Sequence, residues 1–227
     1  MKLDSPVVAV FAHPDDAELT CFGTLALLRD SGAEVTIVVA TNGGRSRTAD
    51  INHDRIREAH EGQGLLSAKL ELLGLPDGDV AHDASTVAAV EEVLQRVDPH
   101  IVITHYPQER RVGHQDHETI AHIVTNVAMR RHPGASILYA EPPVISTRFE
   151  PNLFVDVTDY FAEKLQAIGR HRTESTKFFM DPGVVEERAQ WWTLQALHGT
   201  GDKSQRFEAF HLAKGVTVTK GRLAGAN

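Results

Sequence analysis

The sequence predicts an α/β fold in which helices cover both faces of a doubly wound, mostly parallel sheet. Short runs of β-branched and aliphatic residues alternate with helical patterns along the chain. The hydrophobic fraction of 41% and the charged fraction of 24% are ordinary for a globular protein. The 227 residues can bury one sizeable core, so we expect a single domain over 1–227.

The first half of the chain predicts four strands with a helix between each pair. A helical pattern follows the first strand, with apolar residues on one face and a glycine just past its end. Gly62 and Gly64 weaken the second helical pattern because glycine disfavours helix interiors. The predicted strands cover 7–12, 35–41, 70–73 and 101–105, and the predicted helices cover 16–30, 54–67 and 86–97.

The second half continues with fewer strands. Its predicted helices cover 116–131, 160–171 and 184–197, and its predicted strands cover 136–140 and 153–157. Right-handed crossovers then give a Rossmann-like order, 3-2-1-4 in the first half of the sheet. Ligands of such sheets bind beyond the carboxyl ends of the strands, at the switch point between the first strand and the fourth.

The net charge and the cysteine content limit the possible classes of partner and the possible cellular compartment. The net charge of -8 argues against a nucleic-acid partner, because phosphate binding requires a basic face. The one cysteine, Cys21, cannot form an intrachain disulfide, which fits a reducing compartment. No apolar run approaches the ~20 residues of a membrane span, and no export signal is recognisable. We therefore expect a cytoplasmic protein with no membrane partner.

Two loops rich in histidine and aspartate fall at the predicted switch point. Imidazole and carboxylate groups are the usual protein ligands of Zn²⁺ and other first-row divalent ions. The order of the strands places the two loops across one crevice, although they are far apart in the sequence. The residues are His13, Asp15 and Asp16 after the first strand, and His114, Asp116 and His117 after the fourth.

The spacing within each loop suits one ion. His13 and Asp16, three residues apart across a strand-to-helix turn, can converge on it. His114 and His117 have the same spacing, but a catalytic zinc keeps one position open for water, so we expect one of them to bind. The spacing does not choose between them. Asp15 would then be free to accept a proton from water at the metal.

Each motif also has a structural explanation. The first fits a helix N-terminus with capping aspartates and a proline in the first turn. The second, taken alone, fits an exposed helix start. Their occurrence at the ends of adjacent strands favours the metal site. His105, at the end of the fourth strand, fits either a pocket residue or a packed strand end, and His171 fits either a site residue or a surface residue.

The two motifs resemble the paired signatures of the PIG-L/LmbE-like N-deacetylase family. They are Ala12-His13-Pro14-Asp15-Asp16-Ala17-Glu18 and His114-Gln115-Asp116-His117. The likeness extends along the chain. Arg55-Ile56-Arg57-Glu58 is similar to the family's R-x-x-E helix, and Leu75-Pro76-Asp77-Gly78 to the turn after its third strand. Lys164, Ala167 and His171 are similar to its K-x-x-A-x-x-x-H helix.

The resemblance implies a role for each residue of the two loops. It implies a zinc-dependent N-deacetylase, although Fe²⁺ or another divalent first-row metal would accept the same ligands. It implies an amino-sugar conjugate or another N-acylated natural product as substrate, and a homo-oligomer is compatible with it. The implied metal ligands are His13, Asp16 and His117, the general base is Asp15, the electrophile or general acid is His114 oriented by Asp116, and the substrate contact is Arg55.

Two segments depart from the family's pattern. The family often has T-x-G-E after the second strand, whereas this chain has Thr41-Asn42-Gly43-Gly44-Arg45. It often has Ser-Gln soon after the histidine near the C-terminus, whereas this chain has Arg172-Thr173-Glu174-Ser175. Because both segments can line the substrate pocket, the metal chemistry is better supported than the sugar specificity.

Three other functions fit parts of the same pattern. A nucleotide-binding enzyme would need a glycine-rich phosphate loop after the first strand, where two carboxylates instead repel phosphate. A metal-dependent phosphoesterase would use the same metal ligands. A non-catalytic metal- or glycan-binding protein would not require Asp15, His114 and Asp116 in addition to the ligands.

Overall fold

A seven-stranded sheet with the order β3-β2-β1-β4-β5-β7-β6 organises the part of the chain that the structure describes. The structure is a computed structural model and describes residues 3–44, 51–108, 114–144 and 148–217, with the backbone alone at 51–53. Arg45 lies outside the described residues. The strands are β1 Val7–Phe11, β2 Val35–Thr41, β3 Lys69–Leu75, β4 Ile101–His105, β5 Ser136–Ala140, β6 Leu153–Asp156 and β7 Phe207–Lys214.

The helices follow the predicted alternation. They are α1 Asp16–Asp30, α2 Ile51–Leu66, α3 Ala84–Val97, α4 Gln115–Arg131, α5 Phe161–Ile168 and α6 Pro182–Ala196. The bounds of α1, β2, β4 and β5 agree with the prediction, and most others differ by one to three residues. Helix α5, predicted over 160–171, ends three residues early, because the chain turns at Gly169 and continues as a short 3-10 turn over Arg172–Glu174.

Both faces of the sheet are covered, as the sequence predicted. Val7, Ala9 and Phe11 of β1 pack in a core with residues of α1, α2 and α5. Val8 and Val10 pack in a second core with residues of α3 and α4. Burial on both faces explains why the strands are continuous apolar runs rather than alternating ones. The predicted order 3-2-1-4 and the predicted fold class are confirmed.

The sequence did not predict β7. This strand lies antiparallel between β5 and β6, while the other strands run in one direction. It contains the charged Glu208, which is buried. The Glu208 carboxylate accepts hydrogen bonds from the backbone N–H groups of Gly23 and Thr24 and from Lys164 Nζ, at 3.0, 2.8 and 2.7 Å. The strand at 207–214 is therefore tied directly to α1 and α5.

Helix α2 continues through both of its glycines, and Gly62 has a packing reason. A Cβ atom at Gly62 would lie 2.6 Å from Glu18 Oε1 and 3.4 Å from His171 Nε2. Only glycine lets these two side chains approach the helix so closely. No helix among the described residues has the length and apolar character needed to cross a membrane.

The central strands place the two polar loops side by side. β1 pairs with β4 in parallel, with Val10 opposite Thr104. The loop after β1 leads into α1 at Asp16, and the loop after β4 leads into α4 at Gln115. Both helices therefore begin at the same edge of the sheet, with their N-termini towards the crevice between the loops.

Candidate metal centre

Three predicted ligands converge at this edge. His13 Nδ1 lies 3.0 Å from His117 Nε2. The Asp16 carboxylate oxygens lie 3.4 Å from His13 Nδ1 and 3.6 Å from His117 Nε2. One ligand atom from each side chain falls within 4.8 Å of the other two, and all three residues are buried. The structure thus brings together residues that are about a hundred positions apart.

The backbone and a further histidine hold the predicted ligands in place. Asp16 Oδ2 accepts the backbone N–H of His13 at 2.7 Å, which fixes the turn between β1 and α1. His105 Nε2 accepts the N–H of Ala12 at 2.9 Å and lies 3.3 Å from Asp16 Oδ2. The His105 ring also stacks on that of His117, with 3.9 Å between centroids. His105, whose role the sequence left open, therefore packs directly against the ligands.

The chemistry of these donors fits a divalent metal. Two imidazole nitrogens and one carboxylate oxygen suit Zn²⁺ and also Fe²⁺. Burial disfavours the charged form of His13, but hydrogen bonds to Asp116, Asp16 and Asp77 outweigh it and raise its pKa well above 6.5. Burial opposes the charged form of Asp16 as well, but the neighbouring histidines lower its pKa. A cation therefore displaces a proton from this cluster when it binds.

Two more carboxylates face the outer nitrogen of His13. Asp77 Oδ1 lies 3.1 Å from His13 Nε2, and Asp116 Oδ2 lies 3.6 Å from it. His13, Asp77, His114 and Asp116 are close enough together to suggest a second cation position. However, His13 Nδ1 faces the first group, so with a cation bound at Nδ1 the ring proton would lie on Nε2 and be donated to a carboxylate. We therefore assign this second group as the hydrogen-bonded surroundings of the first.

Asp77 was missed as a site residue. The sequence identified it only as part of a turn after the third strand. Its place at the carboxyl edge of the sheet, where the other acidic loops lie, was the available signal.

Asp116 orients both the turn and His114. Its carboxylate, fully buried, accepts the N–H groups of Gly78 and Val80 at 2.6 and 3.1 Å. Its backbone N–H donates to His114 Nδ1 at 3.3 Å, so that His114 caps α4. Burial and the positive charge of His13 lower the pKa of His114. A neutral His114 that accepts at Nδ1 carries its proton on Nε2.

Asp15 lies next to the ligands at the N-cap of α1. Its side chain makes no capping hydrogen bond. Arg55 Nη2 donates to Asp15 Oδ1 at 3.2 Å, and both side chains are buried. Arg55, for which the family resemblance implied a substrate contact, is thus placed against the predicted base.

His171 lies in the interior of the protein, near the pair of Asp15 and Arg55. Its exposed fraction is 1%, so the surface alternative for His171 is wrong. His171 Nε2 lies 3.3 Å from Glu18 Oε1, which also accepts Gln63 Nε2 at 2.7 Å. Burial alone would lower the pKa of His171, but the negative charge of Glu18 outweighs it and leaves the pKa raised.

A comparison of the chain with known families agrees with this geometry. The family model described as "PIG-L: GlcNAc-PI de-N-acetylase" matches residues 8–128, which is more than half of the chain and includes both loops. The chain belongs to the PIG-L family. The family and the enzyme class predicted from the sequence, a metal-dependent N-deacetylase, are confirmed.

A bacterial relative extends the PIG-L match over most of the chain. It is the Bacillus cereus protein named "Probable N-acetyl-alpha-D-glucosaminyl L-malate deacetylase 2", which is 27% identical over 197 residues. The match covers 79% of this chain and 88% of the relative.

Solved structures share the fold of this PIG-L chain at low sequence identity. The N,N'-diacetylchitobiose deacetylase of Pyrococcus horikoshii superposes with a TM-score of 0.78 at 21% identity, covering 92% of this chain and 84% of that one. GalB of Pseudomonas putida, a 4-carboxy-2-hydroxymuconate hydratase, gives 0.82 at 19% identity, covering 96% and 99%. Two reactions thus occur on one fold, so the fold alone does not decide the chemistry.

Proposed function

We propose that this chain is a hydrolase that removes an acetyl or other acyl group from the nitrogen of an amino-sugar conjugate. The observation that carries the proposal is the convergence of His13, Asp16 and His117, with the carboxylate of Asp15 beside them. The names of the Bacillus cereus and Pyrococcus horikoshii proteins support an N-acetylated amino sugar as the substrate class.

His13, Asp16 and His117 would hold the divalent ion, and Zn²⁺ is the proposed metal. Such an ion supplies a Lewis acid and lowers the pKa of coordinated water towards about 7. Asp77 and Asp116 would accept a hydrogen bond from Nε2–H of His13, so that the lone pair of Nδ1 is available to bind the metal. This arrangement matches the usual use of carboxylates behind metal-binding histidines.

Asp15 would act as the general base. Its Oδ1 is held by Arg55, which leaves Oδ2 to accept a proton from the attacking water. The water oxygen forms a bond to the amide carbon, and the C–N bond then breaks. A proton from Asp15 or from His114 then passes to the leaving amine, so that a carboxylic acid and an amine are released.

His114 would stabilise the oxyanion as a neutral electrophile. Its side chain is 43% exposed, whereas the three ligands are buried, so it borders the opening of the site. The proton on Nε2 can be donated to the amide oxygen as charge develops there. A donor of this kind contributes roughly 3–4 kcal/mol to the transition state. Asp116 would position His114 through its backbone N–H rather than touch the substrate.

We further propose that residues 1–227 form one domain. We expect the protein to work in the cytoplasm and to act on a small molecule. The net charge of -8 supports the absence of a nucleic-acid partner, and the single cysteine fits a reducing compartment.

A substrate panel tests the proposed function. The purified, metal-loaded protein is assayed with N-acetylated amino sugars and their conjugates, and both acetate and new primary amine are measured. We expect equal amounts of the two products. A phosphate monoester and an unsaturated hydroxy-tricarboxylate are the comparison substrates for a phosphoesterase and a hydratase. Turnover of either with none of the amides would overturn the proposal, as would a bound metal with no turnover at all.

The ligand set is tested separately. His117→Ala removes one imidazole, so we expect the stoichiometric ion to be lost while the protein stays folded. Metal content is measured by mass spectrometry of the dialysed protein. His122→Ala, an exposed histidine on the same helix, is the control and should keep the metal. A full complement of metal in the His117 variant would show that the ligand set is wrong.

A further inference from the structure

The orientation of Asp15 depends on a neighbour rather than on its own helix. Asp15 makes no capping bond, and among the described residues Arg55 supplies the hydrogen bond to its carboxylate. A general base must direct one oxygen at the water it activates, and small misplacements slow catalysis strongly. Whatever fixes the guanidinium of Arg55 therefore also fixes Asp15.

Arg55 is held on two further sides. Its Nη1 donates to the carbonyl oxygen of Gly43 at 3.1 Å and lies 3.6 Å from Glu174 Oε1. The loop after β2 closes over it, since a Cβ atom at Gly43 would lie 2.4 Å from Arg55 Nη1. The guanidinium, with 4% of the residue exposed, is enclosed between three segments of the chain.

Glu174 is a buried carboxylate with spare hydrogen-bonding capacity. Its exposed fraction is 1%, and Oε1 accepts no hydrogen bond from the described residues, while Oε2 contacts Lys177 Nζ. Its charge is balanced by Arg55 and by an ion pair with Lys177. The 3-10 turn that carries it is fixed to α2, because Thr173 donates its backbone N–H and its hydroxyl to the Glu58 carboxylate. A buried, incompletely bonded charge is expensive, which argues for a use.

We propose that Glu174 is a positioning residue for the reaction, acting through Arg55 to hold Asp15 in its working orientation. The inference rests on the proposed function. The loop after β2 and the 3-10 turn after α5 both enclose Arg55, and both are segments in which this chain departs from the family's pattern. The 3-10 turn after α5 provides a buried carboxylate at Glu174. Arg55 therefore has a second counter-charge in addition to Asp15.

Glu174→Gln tests the inference, because the amide keeps the size of the side chain and removes its charge. We expect kcat to fall by about ten-fold while KM changes by less than about two-fold, since the base and not the binding surface is disturbed. Metal content and the thermal midpoint should stay close to those of the wild type. Glu61→Gln is the matched control. The Glu61 carboxylate pairs with Arg172 of the same 3-10 turn, on its solvent-exposed side, and its replacement should leave kcat unchanged.

A rise in KM with an unchanged kcat would overturn the inference, because it would place Arg55 and Glu174 in substrate binding. A loss of metal or of folding equal to the loss of activity would overturn it as well, because it would make Glu174 structural.

The double variant decides whether Glu174 acts through Arg55. If it does, Arg55→Lys combined with Glu174→Gln should have the same kcat as Arg55→Lys alone, within about two-fold. Independent, multiplying losses would show that Glu174 acts elsewhere and would end the proposal. A crystal structure of Glu174→Gln supplies a readout apart from turnover, since the Arg55–Asp15 contact should change there. Wild-type protein that releases no acetate from any amide would instead contradict the proposed function, while the structural readout would still test the contact.

Discussion

Two buried ionic groups contact helix α1 and differ in how completely their atoms are hydrogen-bonded. The anchoring pair, Lys164 and Glu208, is saturated: the Glu208 carboxylate accepts from Lys164, from two backbone N–H groups and from the hydroxyl of Thr24. The site-side cluster is not, since Glu18 Oε2, Gln63 Oε1 and Glu174 Oε1 accept no hydrogen bond from the described residues. The site-side cluster consists of Asp15, Glu18, Arg55, Gln63, His171 and Glu174.

This difference in hydrogen bonding indicates which group stabilises the fold and which group serves the reaction. A saturated buried pair fixes the fold, and removing one partner leaves a charge without compensation. A buried polar atom without a partner costs about 1–3 kcal/mol, so a cluster of such atoms persists where it has another use. We therefore expect changes in the anchoring pair to reduce stability, and changes at Asp15, Arg55 and Glu174 of the site-side cluster to reduce turnover.

The largest expected effect is that of Asp15→Asn. The amide cannot accept the proton from water, so kcat should fall by about 10³-fold, within the usual range for a general base. Metal content should be unchanged, because the proposed ligands are intact. Steady-state kinetics and metal analysis on one preparation check both points, and wild-type turnover in this variant would remove Asp15 from the base role.

Lys164→Met should have the next largest effect, on stability. It leaves the buried Glu208 charge unpaired, at a cost of about 3–5 kcal/mol in the free energy of unfolding. Urea denaturation measures the loss, and kcat of the folded fraction should be retained. Lys69→Met is the control, because its pair with Glu34 is exposed and should contribute less than about 1 kcal/mol. Equal losses in the two variants would contradict the role of the anchoring pair.

Gly62→Ala and Gly64→Ala sharpen the comparison within one helix. Both gain about 0.5–1 kcal/mol of helix propensity. A Cβ atom at Gly64 meets no atom within 4 Å, so that variant should be more stable than the wild type. At Gly62 the Cβ atom would lie 2.6 Å from Glu18 Oε1, and the overlap should outweigh the gain, with a net loss of about 1–3 kcal/mol. Thermal or urea unfolding decides, and stabilisation at both positions would refute the packing argument.

His171→Asn should have the smallest effect, and it should depend on pH. Because the pKa of His171 is raised in the folded state, its pairing with Glu18 stabilises the protein fully below the unfolded pKa of about 6.5. That contribution is lost as the pH rises through the folded pKa. The difference between wild type and variant in the free energy of unfolding, measured without metal, should therefore be larger at about pH 6 than at about pH 8. A difference that grows with pH would reverse the assignment.

The sequence predicted the ligand-bearing loops because their position follows from local rules. Strand-helix alternation and right-handed crossovers place β1 beside β4, so His13, Asp16 and His117 had to meet at one edge. The surroundings of these residues could not be predicted in the same way. The contact of Arg55 with Glu174 joins α2 to a 3-10 turn far along the chain, and no periodicity reports such a contact.

β7 was missed for a related reason. A charge at Glu208 breaks the apolar pattern of a strand that is buried in the sheet, and its partners on α1 and α5 are invisible without the fold. Asp77 was recognised only as a turn residue, because its bond to His13 depends on how far β3 extends towards the site. Local patterns thus specify which residues meet, whereas the surrounding contacts need the assembled sheet.

The position of β7 has a consequence for how the enzyme matures on the ribosome. The predicted metal ligands are synthesised long before Glu208, whose carboxylate accepts the N–H groups of Gly23 and Thr24 in α1. A nascent chain that ends before 207 carries the ligands and leaves the edge of β5 and the ammonium group of Lys164 without their partners. The pairing of β5 with β7 and the ion pair of Lys164 with Glu208 can therefore form only after residues 207–214 have been synthesised.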